Sequence, residues 1–175
     1  MAFQMKGQGA TEYLVLLAVV LIIALVSISL LGFFPGLASD AKITQSSTYW
    51  RGEAAPISIQ DHAFSSTEPI GPGELVLLNN DASGTVTITD IILTDSSTGA
   101  PIFSSNSSDY TMSPSPVVLP SGAQKTVNLS SNLPLGAHTS NGALYQFKVT
   151  ILYTRSSGLS QAEYGATPLT GKYSD

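Results

Sequence analysis

Two hydrophobic rhythms divide the chain. From residue 14 to residue 34 apolar side chains follow one another with no polar gap at helical spacing, Ser27, Ser29 and Gly32 being mild exceptions. A helix over this run of about 21 residues, rising ~1.5 Å per residue, reaches ~30 Å, enough to cross the hydrocarbon core of a bilayer. Being apolar on every side, it is predicted to lie among lipid or among other apolar helices. Pro35 lacks a backbone donor and Gly36 is a poor helix former, so a kink or local break is expected near 35–36. Beyond it the sequence turns polar, with Leu37, Ala41, Ile43 or Thr44, and Tyr49 one or two turns apart, which predicts a resumed amphipathic piece closed by Arg51 and Gly52.

After Gly52 the period changes to two. Short β-type runs divided by Gly, Pro, Asn and Ser predict strands over 57–64, 74–79, 85–94, 102–104, 117–119, 125–129 and 144–154, with a last pair within 160–173. The clearest is 144–154, where Tyr145, Phe147, Val149, Ile151 and Tyr153 alternate with Gln146, Lys148, Thr150, Leu152 and Thr154. In the third run Val86 and Ile88 share one parity and Ile91 and Leu93 the other, so a β-bulge is predicted near Asp90. The segments 79–84 and 120–122 carry the Asn, Asp and Gly of hairpin turns. Eight or so strands in this length suggest an immunoglobulin-like antiparallel β-sandwich behind a long hydrophobic helix, an α+β chain. The expected division is a leader over 1–7, a helix over 8–51 and a β-sandwich domain over 52–175.

Composition narrows the chemistry. Charged residues make up 11% of the chain against a usual ~25%, while 25 Ser and 16 Thr give a surface hydroxylated rather than ionic. The net charge of −5 and the scattering of the 7 Lys and Arg leave no basic footprint for nucleic acid. With no Cys there is neither disulfide nor thiolate chemistry. His62 and His138 have no Cys or acidic neighbours at metal-ligand spacing, and the Asp residues are spaced as turn formers, not as a Ca²⁺ loop. No nucleophile motif, phosphate loop or paired-carboxylate pattern stands out, so the chain is expected to be no enzyme and to hold no cofactor or metal.

A carboxylate at the edge of an apolar span is costly and is usually kept for a reason. Were the chain cut between Gly7 and Gln8, the new α-amine would lie four residues before Glu12, one helical turn away on the same face. Amine and carboxylate could then neutralise each other within one chain or between neighbouring helices. The plainer alternative is that Glu12 marks the headgroup boundary and Lys6-Gly7 is an ordinary cytoplasmic flank. Another alternative removes the run altogether, as a secretory signal cut after Ala38, although 7–15 apolar residues are usual in such a signal.

Lys6-Gly7 before Gln8, Glu12 as the fifth residue from Gln8, and the long apolar run behind resemble the class III signal peptide of archaeal type IV pilin precursors. The resemblance is strongest over about the first thirty residues. It implies a membrane-embedded prepilin peptidase cutting after Gly7, with Lys6 and Gly7 as cleavage-site residues and Gln8 as the mature N-terminus. It also implies that Glu12 is tied to processing or assembly, and that the apolar helix is first a membrane anchor and then the core of a homopolymeric extracellular filament serving adhesion. An assembly ATPase and a membrane platform are the further partners it implies. Related archaellins usually lack the acidic residue, which argues for a pilus. An archaellin-like subunit and a single-pass anchored β-sandwich binding module remain alternatives. The stretches 74–80 and 167–172 resemble, more weakly, the β-rich outer domains of archaeal pilins.

Asn106-Ser107-Ser108 and Asn128-Leu129-Ser130 match the N-glycosylation acceptor pattern. Asn106 falls in a polar loop, and Asn128 has the parity opposite to Val127 and Leu129, which points it outward. Glycans would suit a surface with so few charges.

Overall fold

The computed structural model describes residues 8–66, 73–106, 108–131 and 140–174. Lys6, Gly7 and His138 lie outside them. One α-helix, α1 (Gln8–Thr48), continues into a π-helical turn (Tyr49–Glu53) closed by the Ala54 N–H donating to Tyr49 O at 2.9 Å. Among the described residues ten strands follow: β1 (Ile57–Phe64), β2 (Gly73–Asn79), β3 (Val86–Asp95), β4 (Pro101–Ser104), β5 (Tyr110–Ser113), β6 (Val117–Leu119), β7 (Gln124–Ser131), β8 (Leu144–Arg155), β9 (Ser160–Tyr164) and β10 (Leu169–Lys172).

The chain divides into two compact units, Met1–Ala41 and Lys42–Asp175. In the first, α1 runs without a break through Pro35 and Gly36, contrary to the break expected there. Pro takes away a single donor from the ladder, and the long run of helix-forming Leu and Ala before Gly32 and after Gly36 carries the helix past it.

In the second unit all strand pairs are antiparallel and form two sheets, β1-β2-β7-β5 and β10-β8-β3-β4, with β6 beside β3 and β9 beside β8. The long strand β8 thus serves β10 with its first residues and β9 with its last ones. The inward residues of both sheets share one core: Ile57, Ile59, Leu75, Leu77 and Val127 from the first meet Val86, Ile88, Ile91, Leu93, Phe147 and Ile151 from the second. Stacked Tyr145 and Phe147, with Phe64 edge-on to both, fill one end.

The parity slip in β3 is a register shift between Ile88 and Asp90 in its pairing with β8. Asp90, buried by the shift, is satisfied by the Ser105 hydroxyl, which also accepts the Ile91 N–H at 3.2 Å. A second shift, between Ile59 and Asp61, changes the buried parity of β1 from Ile57 and Ile59 before it to Phe64 after it.

The two turns read as hairpins are not hairpins. Each carries the chain from one sheet to the other: β2 and β7 lie in the first sheet, β3 and β6 in the second. Their Asn and Gly chemistry serves to join the two crossings. Asn79 Nδ2 donates to Gly84 O and Leu119 O, both at 2.9 Å, and the Gly122 N–H donates to Asn79 O at 2.9 Å. Gly122, at φ 70°, takes the left-handed turn that the sequence marks. Strand β5 has no counterpart in the sequence reading, because four residues set among Ser, Asn, Asp and Pro give no measurable alternation.

Candidate membrane and assembly surface

Of the residues expected to act in processing and assembly, Gln8 and Glu12 fall on α1. Gln8 is its first residue, while the cleavage-site partners Lys6 and Gly7 lie outside the described residues. Glu12 is exposed, one turn along. From Tyr13 to Leu31 every large apolar side chain stands open, between 44% for Leu17 and 69% for Leu31. An 18-residue window within the helix is long and apolar enough to cross a membrane, and none of it is buried within the chain. The mildly polar Ser27 turns its hydroxyl inward, donating to Ile23 O at 2.8 Å, so its polarity is spent on the helix's own backbone. What this surface can do is chemically simple: it must be covered by lipid or by apolar protein.

The end of the helix behaves differently. The contact face of 42–50 is made by Ile43, Ser46, Tyr49 and Trp50, while Leu37 and Ala41, placed on it by the sequence pattern, are exposed. Ser46 and Trp50 are buried. Three bonds fix this face to the strap 165–170, which leads from β9 into the first residues of β10. Ser46 Oγ accepts the Thr170 N–H at 2.9 Å, Tyr49 OH accepts the Ala166 N–H at 3.0 Å, and Trp50 Nε1 donates to Thr167 O at 3.1 Å. The last turn of α1 and the π turn therefore belong to the β-domain, which begins at Lys42 and not at Gly52. Sequence periodicity missed this because the partners are backbone atoms more than a hundred residues away.

Beside the strap lies Glu163 of β9, 8% exposed. Its Oε2 accepts the Ile57 N–H at 3.0 Å, whereas Oε1 is buried without a hydrogen-bond partner. Burial pushes its carboxyl up to about 7, opposed only by the Ile57 bond. His62 on β1 reaches across to β8, with Nδ1 and Tyr145 OH 2.6 Å apart. Burial, the largest cause, lowers the His62 pKa, and the nearby Arg51 lowers it further against the pull of Asp61. Among the described residues no group of three His, Cys, Asp or Glu is placed to hold a metal ion.

The two acceptor asparagines are both exposed, in different settings. Asn106 sits in the turn between β4 and β5, next to Ser107, which is outside the described residues. Asn128 is inside β7, opposite Glu74 of β2 on one side and Ser113 of β5 on the other.

No protein-family profile matches the chain, and no curated protein matches it. Among solved structures, the crystal structure of the periplasmic chaperone SfaE is a distant neighbour at 10% identity and a TM-score of 0.40, covering 68% of this chain. The chain spans 57% of that protein.

Proposed function

We propose that this chain is the precursor of a structural subunit of a surface filament of the archaeal type IV pilus kind. A prepilin peptidase cuts after Gly7 on the cytoplasmic side, Lys6 keeping the site there, and the mature chain starts at Gln8. Helix α1 anchors the subunit in the membrane until an assembly ATPase and platform draw it into a filament. There the helices form the core and the β-domains, with a sandwich of immunoglobulin-like kind, are displayed outside for adhesion. The observation that carries this reading is the exposure of every large apolar side chain from Tyr13 to Leu31 on a helix joined directly to a β-domain with its own closed core. In lipid such helices gain little from meeting one another, but outside the membrane the same surface must be buried, and identical helices supply the cover.

Two measurements test it on the native chain. Terminal mass spectrometry is expected to give Gln8 as the first residue; Ser39 would establish a removed secretory signal, and an intact Met1 a simple anchor. A charge at Val20, 61% exposed along the shaft, separates filament from lone anchor. Insertion of an isolated span tolerates a central Arg at a cost of about 2.5–3.5 kcal/mol, whereas a bundle surrounds the same guanidinium with apolar side chains on several sides. Val20→Arg is therefore expected to be inserted and processed yet to give no fibres by electron microscopy. Unchanged fibres in the variant, or none in the wild type, would overturn the proposal.

A further inference from the structure

We propose that Glu163 is a proton-operated fastener of the β-domain: when it carries a proton, the seam between β9 and β1 and the turn lodged beside it are held tightly, and when it is ionised they are loosened. The geometry is that of a neutral acid. One carboxyl oxygen is used by the Ile57 N–H, which opens β1, and the other is buried with nothing to receive it. An unsatisfied neutral O–H in such a place costs on the order of the desolvation of one polar group, while an unpaired carboxylate costs several times more.

Among the described residues no neighbouring charge relieves it. The π turn packed against this end carries Tyr49, Arg51 and Glu53; β1 carries Asp61 and His62; β8 carries Tyr145, Lys148, Tyr153 and Arg155. Arg51 faces Asp61 at 3.8 Å, Arg155 faces Asp81 at 3.3 Å, and Tyr49, His62 with Tyr145, and Tyr153 are engaged with Ala166, each other and Gln161 respectively. Glu53 and Lys148 are exposed. Only burial and the Ile57 bond act on the Glu163 carboxyl.

The fastener sits where loosening has an effect beyond one side chain. Two residues after Glu163, Gly165 lies against Trp50, and the following backbone holds Tyr49, Trp50 and Ser46. Ionisation therefore weakens the attachment of 42–53 to the strands. The sign follows from the raised carboxyl: the folded state keeps its proton up to about 7, the unfolded chain releases it near 4.5, so stability is full below 4.5 and is lost as the pH rises through about 7. His62, lowered by burial, works the other way, its contribution being present above 6.5 and lost on acidification. The comparison of wild type with a Glu163 variant isolates the acid. The device would work alike in an anchored monomer and in a polymer.

The test uses the full chain in mild detergent, with thermal melts between pH 4 and pH 9 followed by the emission of Trp50, the single tryptophan. Between pH 4 and pH 9 the wild type is expected to lose roughly two-hundred-fold in its folding equilibrium relative to Glu163→Gln, whose amide cannot ionise. Identical pH profiles of the two proteins would overturn the proposal. If the variant fails to fold, infrared difference spectra of the wild type decide: a protonated-carboxyl band that persists to near pH 7 supports the fastener, and its disappearance below pH 5 overturns it.

Discussion

The Cα of Gly165 faces the edge of the Trp50 indole so closely that a Cβ built on it would come within 2.3 Å of Cζ2 and 2.5 Å of Cη2. The ring has no room to retreat, being 1% exposed and held by its bond to Thr167 O. Gly165→Ala is therefore expected to destabilise the domain by about 1–3 kcal/mol, the usual cost of overpacking. Denaturant unfolding followed by Trp50 fluorescence measures it. An unchanged midpoint would mean that the strap can shift away from the ring.

The seat of the helix end sets where the chain can be cut. A chain beginning at Lys42 keeps Ser46, Tyr49 and Trp50 and is expected to melt cooperatively as a soluble domain. One beginning at Ala54 leaves the Trp50 site empty, at a cost of about 3–5 kcal/mol, a large share of what a domain of this size can lose. Circular dichroism melts of the two chains check the difference, and equal melting points would remove 42–53 from the core.

Asp95 closes the turn between β3 and β4. Its Oδ1 accepts from the backbone and hydroxyl of Ser97 at 2.9 and 2.6 Å and of Thr98 at 2.8 and 3.0 Å. These bonds, the Ser97 hydroxyl first among them, bring its pKa down to about 2, so its contribution is present above 3.8 and lost as the pH falls through about 2. Asp95→Asn is expected to make the loss of stability between pH 4 and pH 2 smaller, Asp81 keeping its own share, and to lower stability at pH 5 by about 1 kcal/mol once solvent screening is allowed for. Melts across that acid range, compared for the two proteins, give the answer.

Glu12→Gln removes the one charge between Lys6 and Asp40 and leaves the β-domain untouched. On the filament reading, assembly suffers and folding does not. Fractionation should find processed subunit held in the membrane with few filaments, and the melt of the β-domain unchanged. Wild-type filament yield from the variant would detach Glu12 from assembly.

The two acceptor asparagines are expected to differ in timing. Asn106 lies in a turn, whereas the backbone of Asn128 is bonded into a sheet between β2 and β5 and cannot leave it without breaking both pairings. Presented to an oligosaccharyltransferase, the folded chain should accept glycan at Asn106 alone and the unfolded chain at both. Glycopeptide mass spectrometry distinguishes them, and modification of Asn128 in the folded protein would contradict the argument.

What was legible in the sequence was what repeats locally. The alternation of Tyr145 to Tyr153 marks β8, and the change of parity between Ile88 and Ile91 marks the bulge, because each side chain reports its own face. The two turns were legible as turns but not as crossings, since Asn79 and Gly122 look the same whichever strand comes next. In strand β9 the side-chain chemistry is no guide to facing: pairing of Glu163 with Ile151 buries the acid and leaves Tyr164 73% exposed. An edge strand takes its facing from the register of its partner. The contacts of Ser46 and Trp50 with the strap leave no local trace at all, being made to backbone atoms 124 and 117 residues away.

That separation bears on the order in which the protein can come into being. The residues that receive Ser46, Tyr49 and Trp50 are synthesised after all of β1 to β9. Until then the indole has no cover and the first residues of β8 lack β10 beside them. Closing so long a loop is slow compared with forming a local hairpin. The domain is thus fastened last at the point where it joins the helix, and a subunit whose synthesis or export stalls short of the strap stays unclosed there, open to proteases and chaperones.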